Sequence, residues 1–355
     1  MHRLAKFLVF ILVCPPFTGC GSSGSNDAGN SSTLAGSSSS SAVDLAPDTE
    51  VSKPNILLII ADDLGLDSSA QYSISRDLPN TPTLDALAAS GVVFENAWAT
   101  PACTTTRGSL ITGMHGVNSG VDTVPNLMDS NLLTLQRALK SDAATADYST
   151  AVIGKWHIAG TGRDLNHPLD SGVGYYWGNI AGTIADYSNW LLTTDAVQST
   201  STTYHTTAVT DKAIEWVSDQ SSPWFLWLAY VAPHSPYHNP PQDLHDRALS
   251  GTADDINANK RAYFLAAIEA MDAEIGRLLE AMTPAERANT LILYIGDNGT
   301  PGNVADNSVY SSGKTKGTLY EGGVRVPMLV SGAGVTREAQ REEALVNTVD
   351  FYPTI

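Results

Sequence analysis

The chain is short of three things, and each shortage excludes a class of protein. Of its 355 residues only three are cysteine, at Cys14, Cys20 and Cys103. Two of them sit in the first 20 residues, so one thiol is left for the body and no disulfide framework exists. No Cys/His set at zinc spacing appears either. Positive charge is scarce, with 20 Lys and Arg against 37 Asp and Glu and a net charge of -17. That balance argues against nucleic acid or an anionic membrane surface as a partner. An anionic substrate would need cations concentrated locally, or a metal. Long apolar runs are missing as well: residues 7–13 fall far below the ~20 needed to span a bilayer. What remains is 43% hydrophobic with 29 Gly and 18 Pro, enough for one large α/β domain or two smaller ones.

The N-terminus reads as an export signal over residues 1–19. Arg3 and Lys6 precede the apolar run, and small residues lead to Thr18-Gly19-Cys20. This is similar to a bacterial lipoprotein lipobox, which would make Cys20 a lipid anchor and the protein periplasmic or cell-surface. Phe17 stands where an aliphatic residue is usual, which leaves secretion by ordinary cleavage as the alternative. Residues 20–52 are rich in Ser and Gly and poor in apolar groups, so they read as a flexible tether. The globular body is expected over 53–355.

Order starts at Pro54. Asn55-Ile56-Leu57-Leu58-Ile59-Ile60-Ala61 is a continuous apolar run, as a strand buried on both faces should be. Comparable runs at 92–98, 148–153, 223–231, 290–296 and 327–331 are interleaved with helix signals at 81–91, 132–140 and 205–219. A further helix carries Phe264, Ile268, Met271, Ile275, Leu278 and Met282 as one apolar stripe, with Glu269, Asp272 and Glu274 read as its solvated side. Strands alternating with helices indicate an α/β fold, doubly wound, with a mostly parallel central sheet and helices on both faces. Residues 160–203 lack periodicity and read as long loops with a short hairpin. Their Tyr175, Tyr176, Trp177 and Trp190 either pack those loops down or form a face for a sugar or aryl ring.

Polar groups collect just past the carboxyl ends of these strands, where open α/β sheets bind ligands. Asp62-Asp63 repel each other unless a cation lies between them, although a turn or a helix cap would also use them. Gly154-Lys155-Trp156-His157 sets a cation and an imidazole on one side of an extended segment, suited to a tetrahedral oxyanion. A surface Lys beside a packed His is the other reading. Ala232-Pro233-His234-Ser235-Pro236 presents a histidine on a rigid turn, and Asp297-Asn298-Gly299 is a second acidic end or an ordinary turn. Oxygen ligands at Asp62, Asp63, Asp297 and Asn298 suit Ca2+ or Mg2+ better than zinc.

The remaining thiol lies in Thr100-Pro101-Ala102-Cys103-Thr104-Thr105-Thr106-Arg107-Gly108-Ser109-Leu110-Ile111-Thr112-Gly113. A cap at Thr104 or Thr105 and a stop at Gly113 predict a helix with Cys103 at its positive end and Arg107 close by. That is an anion-binding position containing a nucleophile. A small buried thiol ahead of an ordinary helix would look the same.

Cys103, Arg107 and the closing Thr112-Gly113 resemble the signature of the sulfatase family (formylglycine-dependent, in the alkaline-phosphatase-like superfamily), Cys-x-Pro-x-Arg and a run ending in Thr-Gly. Thr105 stands where that pattern has proline. Asp62-Asp63 and Asp297-Asn298 resemble the family's metal ligands. The segments at 154–157, around His234, and at Lys316-Gly317-Thr318 ahead of Glu321-Gly322-Gly323 resemble its sulfate-binding and proton-transfer segments, in the same order.

The resemblance implies a sulfuric ester hydrolase, arylsulfatase-like or a carbohydrate sulfatase, acting on a sulfated small molecule or glycan. It implies Ca2+, or Mg2+, on Asp62, Asp63, Cys103, Asp297 and Asn298. It also implies that a formylglycine-generating or other sulfatase-maturing enzyme converts Cys103 to formylglycine (3-oxoalanine). The implied catalytic set is Cys103, Arg107, Lys155, His157, His234 and Lys316. The hydrated aldehyde attacks sulfur while Lys155, Lys316 and Arg107 balance charge. His234, with Lys316, protonates the departing alcohol, and His157 is the base that lets sulfate leave. The family's smaller C-terminal subdomain has no counterpart here, so a truncated catalytic domain is expected. Two other readings stay open. One is a phosphomonoester or phosphodiester hydrolase of the same superfamily with Thr104 as nucleophile. The other is an inactive lipoprotein that binds sulfated ligands through an unmodified Cys103.

Overall fold

Every residue of the first strand is buried, as its unbroken apolar sequence requires of a strand with neighbours on both edges and helices on both faces. The computed structural model describes residues 53–355. The expected signal at 1–19, lipid anchor at Cys20 and tether at 20–52 lie outside the described residues. Ten strands form one sheet: β1 (Asn55–Ala61), β2 (Gly91–Trp98), β3 (Ser149–Gly154), β4 (Tyr175–Gly178), β5 (Trp190–Thr194), β6 (Val197–Ser201), β7 (Trp224–Ala229), β8 (Thr290–Gly296), β9 (Met328–Gly332) and β10 (Gln340–Asn347). Their order is β10-β2-β9-β8-β1-β7-β3-β4-β5-β6. The central run from β8 to β4 is parallel, as the apolar sequences of its strands demand. Antiparallel β9 and the β4-β5-β6 meander flank it, and β10 lies parallel to β2 at one edge.

Alternation along β1 divides the interior in two. Leu57, Ile59 and Ala61 enter one core with residues of α1 (Pro82–Ala89) and of the helices His205–Ser218 and Lys260–Ala281. Ile56, Leu58 and Ile60 enter the other with α2 (Cys103–Thr112) and the helix Leu135–Ser141. Each fully buried Ile or Leu contributes about 1.5–3 kcal/mol, so this strand alone anchors both layers. Among the described residues no helix is long and apolar enough to cross a membrane.

Two local expectations change. The helix placed at 132–140 begins at Leu135, because the Thr134 hydroxyl caps it by accepting from the Arg137 N–H at 3.3 Å. The charged, exposed β10 was not expected at all, since Gln340-Arg341-Glu342-Glu343 has no apolar face. In the loop region the hairpin is present as β5 and β6, while Tyr176, Trp177 and Trp190 are buried and pack inward. Trp177 and Trp190 meet edge to face at 5.6 Å.

The larger correction concerns Glu269, Asp272 and Glu274, which are buried rather than solvated. The helix Lys260–Ala281 is covered on a second side by α1 and by the helix His205–Ser218, so its acids meet backbone donors and cations instead of water. Asp272 accepts from Thr83 N at 3.0 Å and Leu84 N at 2.8 Å, serving the start of α1 that Thr81 leaves uncapped. Glu269 takes Asn80 N and Arg247 Nε, and Glu274 takes Thr207 Oγ1 and Arg277 Nε.

Burial pushes the Asp272 carboxyl up to about 6, against the pull of the two N–H donors. The folded value thus exceeds the unfolded one of about 3.9. The native state then holds more protons between about pH 4 and 6. The stability this group adds is complete below about pH 4 and is lost as pH rises through 6. Asp272→Asn should remove that slope. Urea unfolding at pH 4, 5, 6 and 7 should show the wild type losing about 2 kcal/mol relative to the variant across the window. Parallel pH profiles for the two proteins would sink the expectation.

Candidate active site

The register of the parallel strands decides which residues meet. Ala61 pairs with Gly296 and Ile60 with Ala229, so β1, β7 and β8 end level with one another. Asp62-Asp63 and Asp297-Asn298 therefore emerge side by side, all four buried. Asp297 N donates to Ala61 O at 3.0 Å, and Asp63 N donates to Asp297 Oδ1 at 3.1 Å. Asp63 takes a left-handed φ of 69° to make this contact, a conformation that costs a non-glycine residue about 1–2 kcal/mol and that clusters at functional sites.

Lys155 and His157 both reach the site, but not along a continued strand. β3 stops at Gly154, whose φ is 107° and where a Cβ would lie 1.9 Å from Ala229 O. His157 in turn has φ 60°. The chain thus winds over the carboxyl end of the sheet. Lys155 turns inward, fully buried, onto Asp62, and His157 swings over α2.

α2 begins two or three residues earlier than a cap at Thr104 or Thr105 would place it. Ala102 is its extended N-cap, and Cys103 is the first helical residue. Thr106 N makes the first intrahelical bond, to Ala102 O, so the N–H groups of residues 103–105 have no intrahelical partner. Gly113 ends the helix with φ 65°, as expected. Cys103 is buried, and its Sγ lies 3.1 Å from His157 Nδ1, while Thr104 Oγ1 lies 3.3 Å from His157 Nε2. Arg107, one turn further in, grips Asp297 Oδ2 through Nε at 3.1 Å and Nη2 at 2.8 Å, and gives its Nη1 to Lys155 O at 2.9 Å.

Each acid in the cluster has its own cation: Asp62 with Lys155, Asp297 with Arg107 and Asp63 with Lys316. His234 Nε2 lies 3.7 Å from Asp63 Oδ2, and its Nδ1 lies 2.6 Å from Ser235 O. Burial would push the Arg107 guanidinium down, but Asp297 and Asp62 together hold it above its ordinary value. Burial likewise opposes the charge on Lys316, and Asp63 and Asp62 overcome it. Burial and Asp62 push Asp297 above the usual carboxylate range. Burial, then Lys155 and Arg107, press His157 far below the usual imidazole range, and burial raises the Cys103 thiol.

The donor set fits a hard divalent cation. The carboxylates of Asp62 and Asp297 lie with Cys103, and those of Asp62 and Asp63 with His234, each trio having its ligand atoms within 4.8 Å of one another. Asp62 Oδ1 and Asn298 Oδ1 are buried and have no hydrogen-bond partner. Buried acceptors are rarely left unpaired, and two oxygens orphaned in one acidic cluster are what a Ca2+ or Mg2+ site presents before its ion is counted.

Two contributors escaped the sequence reading. A Cβ on Gly182 would lie 2.0 Å from His157 Nε2, so only glycine admits the ring there. Tyr187 Oη donates to His234 O at 2.7 Å and steadies that turn. Neither carries a local signal: both lie in the aperiodic 160–203 stretch, and both act across long sequence separations. A cavity of ≈ 610 Å³ opens over Cys103, His157, His234 and Lys316, so four of the six expected catalytic residues line it. Arg107 and Lys155 sit beneath, wholly buried.

Comparison with known proteins covers the same globular body. The family model described as Sulfatase matches residues 54–355. The chain is 29% identical to mouse Arylsulfatase J over 327 residues, 86% of this chain and 52% of that protein. It is 26% identical to human N-acetylgalactosamine-6-sulfatase, over 85% of this chain and 61% of the relative. The chain thus spans between about half and two thirds of these curated relatives. Among solved structures, Ps i-CgsB in complex with k-i-k-neocarrahexaose superposes with a TM-score of 0.72 at 27% identity, covering 85% of this chain and 70% of that one. With the match running from the start of β1 to residue 355, the chain belongs to the sulfatase family.

Proposed function

We propose that this protein hydrolyses sulfate monoesters, with sulfated glycans as the substrate class and Cys103, converted to formylglycine by a sulfatase-maturing enzyme, as the reacting position. The observation that carries this reading is the placement of Cys103 at the floor of the cavity, between His157 and a buried acidic cluster with two orphaned oxygens. The names of N-acetylgalactosamine-6-sulfatase and of the neocarrahexaose complex support a carbohydrate substrate. Export and lipid anchoring at Cys20 belong to the same proposal and rest on residues 3–20 alone.

The residues divide the work by position. Asp62, Asp63, Asp297 and Asn298 would hold the cation, with Cys103 at its edge. When bound, it supplies positive charge beside the reacting group. Formylglycine, when formed, supplies an aldehyde whose hydrate offers two hydroxyls on one carbon. Arg107 locks Asp297 from beneath and never meets substrate. Lys155 and Lys316 neutralise carboxylates that would otherwise repel a sulfate. His157 holds or takes a proton at the Cys103 side chain through Nδ1. Because a carbonyl only accepts, His234 Nδ1 carries its proton toward Ser235 O, which frees Nε2 to donate to a departing alcohol when the ring is charged.

The test is a comparison of matched esters. Protein purified without chelator should contain about one Ca or Mg per chain, and it should turn over aryl sulfates and sulfated sugars much faster than the corresponding phosphates. Faster phosphate hydrolysis would favour the phosphoester reading, with Thr104 beside His157 as nucleophile. A metal-free protein indifferent to chelators would remove the cation from the account. Gly182→Ala adds a check on His157. The new methyl must displace the ring, so kcat should fall by about 10²-fold while the urea midpoint stays close to wild type. An unchanged kcat would take His157 out of the reaction.

A further inference from the structure

The geometry points to Arg163 as a specificity residue that binds a second anionic group of an oligosaccharide, next to the sulfate being cleaved; the inference rests on the sulfate-ester reading above. The cavity over Cys103 is not closed at its far end. A second cavity of ≈ 760 Å³ lies against the β5–β6 hairpin, and the two share Arg163, Ile180, Ala181 and Thr183 in their walls. Together they form a groove leading away from Cys103, longer than one sugar sulfate needs.

Charge picks out Arg163 within that groove. Lys155, Arg107 and Lys316 are each committed to a carboxylate. Arg163 makes no hydrogen bond or ion pair within the described residues. It is exposed and holds a left-handed φ of 49° where the two cavities meet. In a chain of net charge -17, an uncommitted guanidinium at this point is a local reversal of sign. Its planar fork matches the oxygens of a sulfate or a carboxylate.

Further along, Asn189, Gln198 and Thr200 line the second cavity with side chains that make no hydrogen bond within the described residues. Such groups suit sugar hydroxyls. The occupant is therefore an oligosaccharide carrying an anion on the residue beside the scissile sulfate, rather than a neutral aryl group or an isolated monosaccharide sulfate.

The experiment is calorimetric binding in a Cys103→Ala background, so that nothing is turned over. The probes are sucrose octasulfate, a polyanionic disaccharide, and glucose 6-sulfate, which carries one sulfate. Arg163→Gln should weaken sucrose octasulfate binding tenfold or more and glucose 6-sulfate binding less than twofold. It should also flatten the salt dependence of the former. Arg163→Lys, a point charge without the fork, should recover part of the loss. Equal weakening of both probes would place Arg163 on the scissile sulfate and overturn the inference, as would no change in either. Because binding is read without turnover, a selective loss upholds the anionic subsite even in a protein that cleaves no sulfate ester.

Discussion

Asp297→Ala should destabilise the protein by about 3–5 kcal/mol, the range seen when one partner of a buried ion pair is removed. The reason is Arg107. Its guanidinium is fully buried, and two of its nitrogens bond Asp297 Oδ2. Without that carboxylate a positive charge is stranded in the interior, with Lys155 O as its other hydrogen-bond partner. The Asp63 N–H would lose its acceptor too. Asp297→Asn keeps the shape and an oxygen, so its loss should be smaller. A double replacement, Arg107→Met with Asp297→Leu, should restore much of the stability, because removing both charges avoids the stranded one. It should not restore metal binding or turnover. Urea unfolding gives the stabilities and elemental analysis the metal. A loss below about 1 kcal/mol for Asp297→Ala would mean that the pair is hydrated and that the cluster is not the sealed cation site argued above.

Cys103→Ala should abolish sulfate ester hydrolysis, by about 10³-fold or more, with little change in stability, since a small side chain replaces a small one. The sharper test lies two residues on. Thr105 is the third residue of α2, and its N–H precedes the first intrahelical bond, so proline there removes no helical hydrogen bond. It forfeits the Thr105 hydroxyl contacts to Ala102 O and Thr100, about 1 kcal/mol. Before folding, proline would favour the restricted, extended backbone that suits a modifying enzyme's groove. Thr105→Pro should therefore fold, and should raise the converted fraction of Cys103 and the specific activity in parallel. The mass of the peptide containing Cys103 reports the first, and sulfate release the second. An intact thiol in fully active native enzyme would overturn the mechanism. An intact thiol in inactive native protein would favour the ligand-binding lipoprotein.

The framework and the chemical cast follow from local residue pattern. Apolar runs such as 55–61 can only be strands covered on both faces, and the polar groups after them must then collect at one edge of a parallel sheet. That is why Asp62, Asp63, Lys155, His157, His234, Asp297 and Asn298 are legible as one site in the sequence. The rest depends on contacts between residues far apart in the chain, which exist only once the domain is packed. Nothing near Arg107 says that its guanidinium turns inward onto Asp297, 190 residues away, rather than outward to an anion. Helical periodicity assigned Glu269, Asp272 and Glu274 to solvent, because a pattern within one helix cannot report a second layer packed over its polar side. Gly182 is one glycine in an aperiodic loop until the His157 ring occupies the space its side chain would need. β10 pairs along its backbone with β2 and needs no apolar face to do so. Local pattern records what a segment must bury; which partner buries it is set by the packing of the whole domain.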